Sequence, residues 1–144
     1  MNDKIILKYK VDCDDFTRAG EASSSVKRKL KLMGFDPEII RKVAISLYEG
    51  EINMVIHSYG GTIEVIISPD EIEMILVDKG PGIENIELAM QAGYSTAPDK
   101  IRSLGFGAGM GLPNMKKYSD DLNIESIVGV GTTLRIRVYV PIEE

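Results

Sequence analysis

Five segments of the chain alternate between apolar and polar residues with a period of two, which predicts strands that bury one face. These segments are residues 5–11, 62–68, 71–77, 122–127 and 132–140. Pro69-Asp70 joins the second to the third and Gly129-Val130-Gly131 joins the last two, so both pairs are predicted hairpins. The expected inward set of the first hairpin is Ile63, Val65, Ile67, Ile72, Met74 and Leu76, or the opposite faces if the register slips.

Four other segments carry apolar residues at helical spacing or are bounded by helix start and stop signals. They predict helices over about residues 14–33, 37–57, 85–92 and 111–118. Asp14 or Asp15 is the expected cap of the first helix, and Gly34 ends it. The second helix has the clearest start, since Asp36-Pro37-Glu38 supplies a cap residue, a proline at the first helical position and an acidic first turn.

The order of these elements is β, α, α, β, β, α, a long irregular stretch, α, β, β. Because hairpins predominate, we expect an α+β two-layer sandwich with a mixed, mainly antiparallel sheet and helices on one face. Arg135 and Arg137 alternate with apolar residues in the last strand, which indicates that the other face of the sheet is wet. No repeat or linker divides the chain, so residues 1–144 are interpreted as one domain.

Composition narrows the classes of function. The chain has 144 residues and a formal net charge of −5, which disfavours a general surface for nucleic acid or anionic membranes. Cys13 is the only cysteine, so neither an internal disulfide nor a cysteine-rich zinc site is expected. No apolar stretch approaches the roughly 20 residues that span a bilayer, and residues 1–4 lead into a strand rather than a signal peptide. These features are typical of a cytoplasmic protein.

Two glycine-rich loops are suited to a nucleotide. Asp78-Lys79-Gly80-Pro81-Gly82 follows a predicted strand, and residues 105–111 place four glycines at every second position before a helix. Such a run offers backbone N–H groups to an anion at a helix N-terminus. The Asp78 carboxylate can accept a hydrogen bond from an exocyclic amine such as that of adenine; the alternative is an ordinary Asx turn. Gly82 would allow a base or ribose to approach the backbone closely.

A polar stripe on the second predicted helix supplies the remaining chemistry. Glu49, Asn53 and His57 are spaced by four residues and therefore lie on one face. The Asn53 carboxamide is a hard neutral ligand suited to Mg²⁺, and Glu49 can deprotonate a nucleophile directed at a γ-phosphate; the alternative is a solvated helix face. Glu51 lies almost opposite and is expected to be an ordinary solvated residue. His57 is expected to complement the helix dipole or to pack.

Taken in order, these motifs resemble those of the GHKL superfamily, which comprises the gyrase, Hsp90, histidine-kinase and MutL-type ATP-binding domains with the Bergerat fold. The motifs are Glu49-x-x-x-Asn53, Asp78-x-Gly80-x-Gly82, Gly107-x-Gly109-x-Gly111-Leu112 and Gly131-Thr132. They extend over most of the chain, from about residue 36 to residue 140. Within the superfamily, the small size and residues 92–96 are similar to the stand-alone anti-sigma-factor and stressosome switch serine/threonine kinases.

The resemblance implies a role for each matched residue. Glu49 would be the base toward a protein hydroxyl, Asn53 would hold Mg²⁺, and Asp78 would bind adenine with support from Thr132 or Thr133. Residues 93–110 would form an ATP lid, in which Lys100 and Arg102 either contact phosphate or a partner or are simply solvated. The other expected nucleotide-binding residues are Gly80 and Gly82 beside the adenine, and Gly107, Gly109, Gly111 and Leu112 around the phosphates.

The resemblance also implies a function. The expected activity is the ATP- and Mg²⁺-dependent phosphorylation of a small STAS-like antagonist protein on serine or threonine, together with binding of a sigma factor or another downstream regulator. Two alternatives stay open: a nucleotide-gated binding module with little catalysis, and a detached histidine-kinase ATP-binding domain. The latter would need a separate partner, because His57 is the only histidine and lies in the predicted second helix. The sequence also leaves open whether the module forms a homodimer.

Overall fold

Five antiparallel strands form the sheet in a computed structural model that describes residues 4–13, 15, 17–91 and 111–141. The strands are β1 (Ile5–Val11), β2 (Gly61–Ile67), β3 (Glu71–Asp78), β4 (Asp121–Ile127) and β5 (Gly131–Tyr139). Their order across the sheet is β1-β2-β3-β5-β4, and each neighbouring pair is antiparallel. Both predicted hairpins are therefore confirmed, and β3 lies at the centre of the sheet.

Four helices accompany the sheet in the described part of the chain. They are α1 (Glu21–Leu32), α2 (Pro37–His57), α3 (Ile86–Ala89) and α4 (Gly111–Tyr118). The start of α2 is as predicted, since the Asp36 side chain accepts a hydrogen bond from the Glu38 backbone N–H at 2.9 Å. Helix α3 is a single turn capped by Asn85, shorter than predicted, and the predicted end at Ala92 lies outside the described residues. None of these helices has both the length and the apolar character needed to cross a membrane.

The predicted start of α1 is wrong. The helix begins at Glu21, directly after Gly20, whose φ of +94° is left-handed and interrupts any helix that would arrive from residue 14 or 15. Asp15 instead accepts a hydrogen bond from the Thr17 hydroxyl at 2.7 Å, within the turn before the helix. Asp14 lies outside the described residues. Gly20 itself has no side chain to cap α1, so the cap comes from elsewhere in the fold.

The core lies between the inner face of the sheet and the helices. The predicted inward set of β2 and β3 is confirmed, because its six residues are all at most 3% exposed. The outer face is wet as predicted: Arg137 pairs with Glu73 at 2.8 Å and with Asp121 at 3.4 Å across three strands. Pairs this exposed contribute little to stability. The architecture is the expected α+β two-layer sandwich, with helices on one face.

Gly50 allows α2 to lie close to its neighbours. A Cβ at this position would lie 2.5 Å from Leu76 Cδ2 and 3.5 Å from Met115 Sδ. Leu76 belongs to β3 and Met115 to α4, and both are buried in the core. A glycine in the middle of a helix costs about 1 kcal/mol relative to alanine, so the close packing of α2 against the central strand and α4 explains its presence here.

Candidate functional site

The polar stripe of α2 faces the first turns of α4. A Cβ at Gly111 would lie 3.1 Å from both Oδ1 and Nδ2 of Asn53, so the absence of a side chain there leaves the amide uncovered. One turn further along α4, Asn114 Nδ2 donates a hydrogen bond to Glu49 Oε2 at 3.4 Å. Gly111 therefore lies beside Asn53, and Asn114 lies beside Glu49. The two residues of each helix are one turn apart, and they meet in antiparallel order.

Glu49 is half-buried beside an open groove. Burial raises the pKa of its carboxyl, and the hydrogen bond from Asn114 offsets part of that increase. The groove has a volume of about 310 Å³ and runs between α1 and α2. Its lining comprises Ser23, Ser24, Lys27, Ala44, Ile45, Tyr48 and Glu49. A carboxylate with a raised proton affinity that a second molecule can approach is suited to accept a proton.

Asp78 ends β3 at the edge of the glycine loop. The Thr132 backbone N–H donates a hydrogen bond to Asp78 Oδ1 at 3.0 Å. Burial raises the pKa of the Asp78 carboxyl, and the bond from Thr132 offsets part of the increase. Across the described residues, this is the one hydrogen bond that the Asp78 side chain makes, so its Oδ2 can accept another from a ligand.

The glycine loop after Asp78 is joined to the β4–β5 hairpin by its backbone. The Gly80 N–H donates to the Val130 carbonyl at 3.1 Å. Gly82 has a φ of +77°, and a Cβ there would lie 2.6 Å from the Ile127 carbonyl oxygen. Gly131 passes so close to the Asp78 carbonyl oxygen that a Cβ would clash with it. Gly82 and Gly131 are therefore required by the packing of the chain itself, in addition to any approach of a base or ribose.

Thr132 and Thr133 lie on different faces of β5. Thr132 is buried, and its hydroxyl shares a 2.9 Å hydrogen bond with Ser126 Oγ. Thr133 pairs with Val77, on the outer face of the sheet away from the helices. Of the two threonines proposed from the sequence, the structure brings Thr132 to Asp78, through its backbone. Leu112 is 6% exposed and packs in the core, where it anchors α4.

Several predicted residues lie outside the described part of the chain. These are the predicted lid at 93–110, with Lys100 and Arg102, and the phosphate-binding glycines Gly107 and Gly109. Gly111 is described and begins α4. Burial lowers the pKa of His57, which favours the neutral imidazole and is consistent with the packing alternative.

The prediction that Glu51 is an ordinary solvated residue is wrong. Its side chain is among the buried charged groups, 3% exposed. Oε2 accepts hydrogen bonds from the backbone N–H groups of Gly20 and Ala22 at 3.0 and 3.1 Å, and Oε1 accepts from that of Ser23 at 3.0 Å. Glu51 thus caps α1, which covers this side of α2. The signal was available in the spacing, since Leu47 and Val55, one turn away on either side, are apolar core residues.

Asn114 is a site residue to which the sequence analysis assigned no role. It belongs to no box of the recognised motif, and helix periodicity alone does not distinguish it from a solvated residue. Only the packing of α4 against α2 brings it to Glu49. In the described residues no group of three His, Cys, Asp or Glu side chains converges on a possible metal position. A divalent ion at Asn53 would therefore take most of its ligands from a nucleotide and water.

Comparison with known proteins identifies the family. Residues 47–144 match the model of the histidine kinase-, DNA gyrase B- and HSP90-like ATPases. The chain belongs to this ATPase family. The matched region includes Glu49, Asn53, Asp78 and Thr132, whereas α1 and its wall of the groove precede it. The resemblance to the GHKL superfamily is thereby confirmed.

Proteins named anti-sigma F factor are similar to this chain over most of its length. The chain is 33% identical over 143 residues to the anti-sigma F factor of Clostridium acetobutylicum, covering 93% of this chain and 92% of that protein. It is 36% identical over 112 residues to the anti-sigma F factor of Thermoanaerobacter sp. strain X514, covering 73% of this chain and 75% of that protein. The family and these relatives support an ATP-binding regulatory protein with ATP-dependent, kinase-type activity.

The fold is also that of a solved histidine kinase structure. The mycobacterial sensor histidine kinase MprB matches with a TM-score of 0.53 and 18% sequence identity, covering 94% of this chain and 98% of that chain. At this identity, the match shows the shared Bergerat-type α+β sandwich alone.

Proposed function

We propose that the protein is a Mg²⁺-dependent serine/threonine kinase that transfers the γ-phosphoryl group of ATP to a small STAS-like antagonist protein. We further propose that it binds a sigma factor or another downstream regulator. The similarity to proteins named anti-sigma F factor supports the class of partner. The observation that carries the kinase proposal is Glu49, a half-buried carboxylate with a raised pKa that borders a groove open to a partner.

The described residues fit ATP and Mg²⁺. Asn53 Oδ1 lies where a Cβ at Gly111 would crowd it, so the glycine keeps this oxygen accessible beside the N-terminal turn of α4. We assign Asn53 as the protein ligand of Mg²⁺, and Asp78 with Thr132 as the adenine contact. Bound Mg²⁺ would supply positive charge to offset that of the phosphates. We also propose that Gly107 and Gly109 contact the phosphates. Residues 1–144 are proposed to form one domain.

In the proposed transfer, one bond to phosphorus forms, one breaks, and one proton moves to Glu49. A serine or threonine oxygen of the antagonist forms a bond to the γ-phosphorus, and the bond from that phosphorus to the bridging oxygen of ADP breaks. The hydroxyl proton passes to Glu49. The groove between α1 and α2 gives the hydroxyl access to Glu49, and Asn114, on α4, is not among the residues that line it. Positioning and charge stabilisation supply the rest of the catalysis, as is general for phosphoryl transfer.

Incubation of the purified protein with γ-labelled ATP, Mg²⁺ and a STAS-domain protein of the same organism tests the proposal. We expect label on a serine or threonine of the STAS-domain protein, and this phosphoester should survive acid. Acid-labile label on histidine would contradict the proposal in favour of the histidine-kinase alternative. ATP-dependent binding of the STAS-domain protein without any transfer would contradict it in favour of a nucleotide-gated binding module.

Asp78→Asn tests the adenine assignment. The substitution keeps the size of the side chain and the acceptor for Thr132, but it removes the charge that strengthens a hydrogen bond from the adenine amine. We expect affinity for ATP to fall by about tenfold or more, because a hydrogen bond to a charged group contributes about 1.5–3 kcal/mol. Calorimetric titration with ATP measures this loss of affinity, and titration with GTP, which lacks the adenine amine, serves as the comparison. Asp70→Asn, at the exposed β2–β3 turn, is the control; unchanged ATP affinity in Asp78→Asn would refute the assignment.

A further inference from the structure

Asn114 lies next to the proposed base on an anchored part of α4. Leu112 and Met115, the residues around it on α4, are 6% and 0% exposed and belong to the core. Their packing anchors the α4 backbone at this point. Its Nδ2 lies 3.4 Å from Glu49 Oε2. No motif of the ATPase family and no part of the proposed transfer assigns this residue a role.

We propose that Asn114 is a positioning residue, whose carboxamide orients the Glu49 carboxylate so that Oε2 is occupied and Oε1 is presented to the acceptor hydroxyl. The inference rests on the proposed role of Glu49 as the base. The amide Nδ2 can only donate, and its hydrogen bond is stronger to an ionised carboxylate than to a neutral carboxyl, so it favours the ionised form of Glu49. Within the described residues, Oε1 of Glu49 accepts no hydrogen bond, and Glu49 is one of the residues that line the groove.

The surroundings of Glu49 make Asn114 the main device for this orientation. On α1 and α2, the other titratable groups that line the groove are Lys27 and Tyr48, and neither makes a hydrogen bond or ion pair with Glu49 in the described residues. The carboxylate of a glutamate is separated from the backbone by three rotatable bonds, and fixing such a side chain costs rotamer entropy. Because Asn114 donates from the anchored helix α4, part of the rotamer entropy of Glu49 is already lost before the substrate hydroxyl binds.

The decisive experiment compares Asn114→Ala with the wild-type protein in phosphoryl transfer. We expect kcat to fall by about three- to tenfold, with KM for ATP unchanged because Asn114 has no nucleotide contact in the proposal. The acid limb of the pH–rate profile should shift to higher pH, since the bond from Asn114 lowers the pKa of Glu49 and its loss raises it. Asn114→Gln, which keeps the amide donor, should recover part of kcat.

Asn123→Ala is the matched control, because Asn123 is an exposed amide on β4 and should leave transfer unchanged. A second measurement does not depend on activity: NMR titration of ¹³C-labelled glutamate carboxyls, with the Glu49 signal assigned by its loss in Glu49→Gln. The pKa of Glu49 should be higher in Asn114→Ala than in the wild type. An unchanged titration of Glu49 overturns the inference whatever the transfer assay gives. Wild-type rates in Glu49→Gln would instead refute Glu49 as the base, and the inference with it.

Discussion

Replacement of Glu51 by alanine is expected to lower the free energy of unfolding by about 3–5 kcal/mol. The substitution removes a carboxylate that accepts three backbone hydrogen bonds at 3.0–3.1 Å. Each buried donor left without a partner costs about 1–3 kcal/mol, and water entering the cavity recovers part of the sum. Because domains of this size are typically stable by only about 5–15 kcal/mol, the loss is a large fraction of the total.

The reason for so large an effect is that, among the described residues, Glu51 is the side chain that caps α1. Gly20 precedes the helix with no side chain of its own, and Glu51 from the neighbouring helix accepts from the N–H groups of Gly20, Ala22 and Ser23. A negative carboxylate at this end also favours the positive end of the helix dipole. Glu51 therefore joins α1 to α2, and α1 forms one wall of the groove beside Glu49.

Urea unfolding followed by circular dichroism measures the change, with Glu125→Ala as the control because Glu125 is exposed on β4. Glu51→Gln should give a smaller loss, since one carboxamide oxygen remains to accept while the new NH₂ group faces an N–H. Hydrogen exchange should show faster exchange at the amides of Gly20, Ala22 and Ser23. An Ala variant as stable as the control would show that the three hydrogen bonds contribute nothing net.

The elements that the sequence predicted well are those with local signals. The start of α2 follows from Asp36-Pro37-Glu38, and the structure reproduces the Asp36 cap. The inward faces of β2 and β3 follow from a period of two, because one buried face fixes the register. The start of α1 was mispredicted for the opposite reason: its cap comes from Glu51, 31 residues after Gly20 in the sequence, and no local pattern at residues 14–20 encodes it.

The candidate site shows the same division between local and tertiary information. The family motifs could be read directly, because glycine, carboxylate and carboxamide spacing is local. Thr132 and Thr133 could not be separated by sequence, since the choice depends on the register of β5 against β3, which brings the Thr132 N–H to the Asp78 side chain. Gly50 interrupted a good helical pattern, and its reason lies in Leu76 of the central strand. Asn114 was missed because its partner Glu49 lies 65 residues away.

Glu49→Gln is expected to lower phosphoryl transfer by about 10²–10⁴-fold while leaving ATP affinity within about threefold of the wild type. The glutamine keeps the shape of the side chain and an oxygen that can accept from Asn114, but it cannot accept the proton of an acceptor hydroxyl. Single-turnover transfer of labelled phosphate to the antagonist measures the rate, and calorimetry measures ATP binding. Glu87→Gln, an exposed glutamate on α3, is the control.

The pH dependence of the transfer rate provides a second test of Glu49 as the base. Burial raises the pKa of Glu49, so the carboxylate becomes protonated, and stops acting as a base, at a higher pH than an exposed glutamate would. The wild-type rate should therefore fall on acidification through that raised pKa, and the residual rate of Glu49→Gln should lack this limb. A rate in Glu49→Gln equal to that of the wild type would exclude Glu49 as the base. A variant that lost ATP binding along with transfer would place Glu49 in nucleotide binding instead, since a base that acts only on the acceptor hydroxyl contributes nothing to the affinity for ATP.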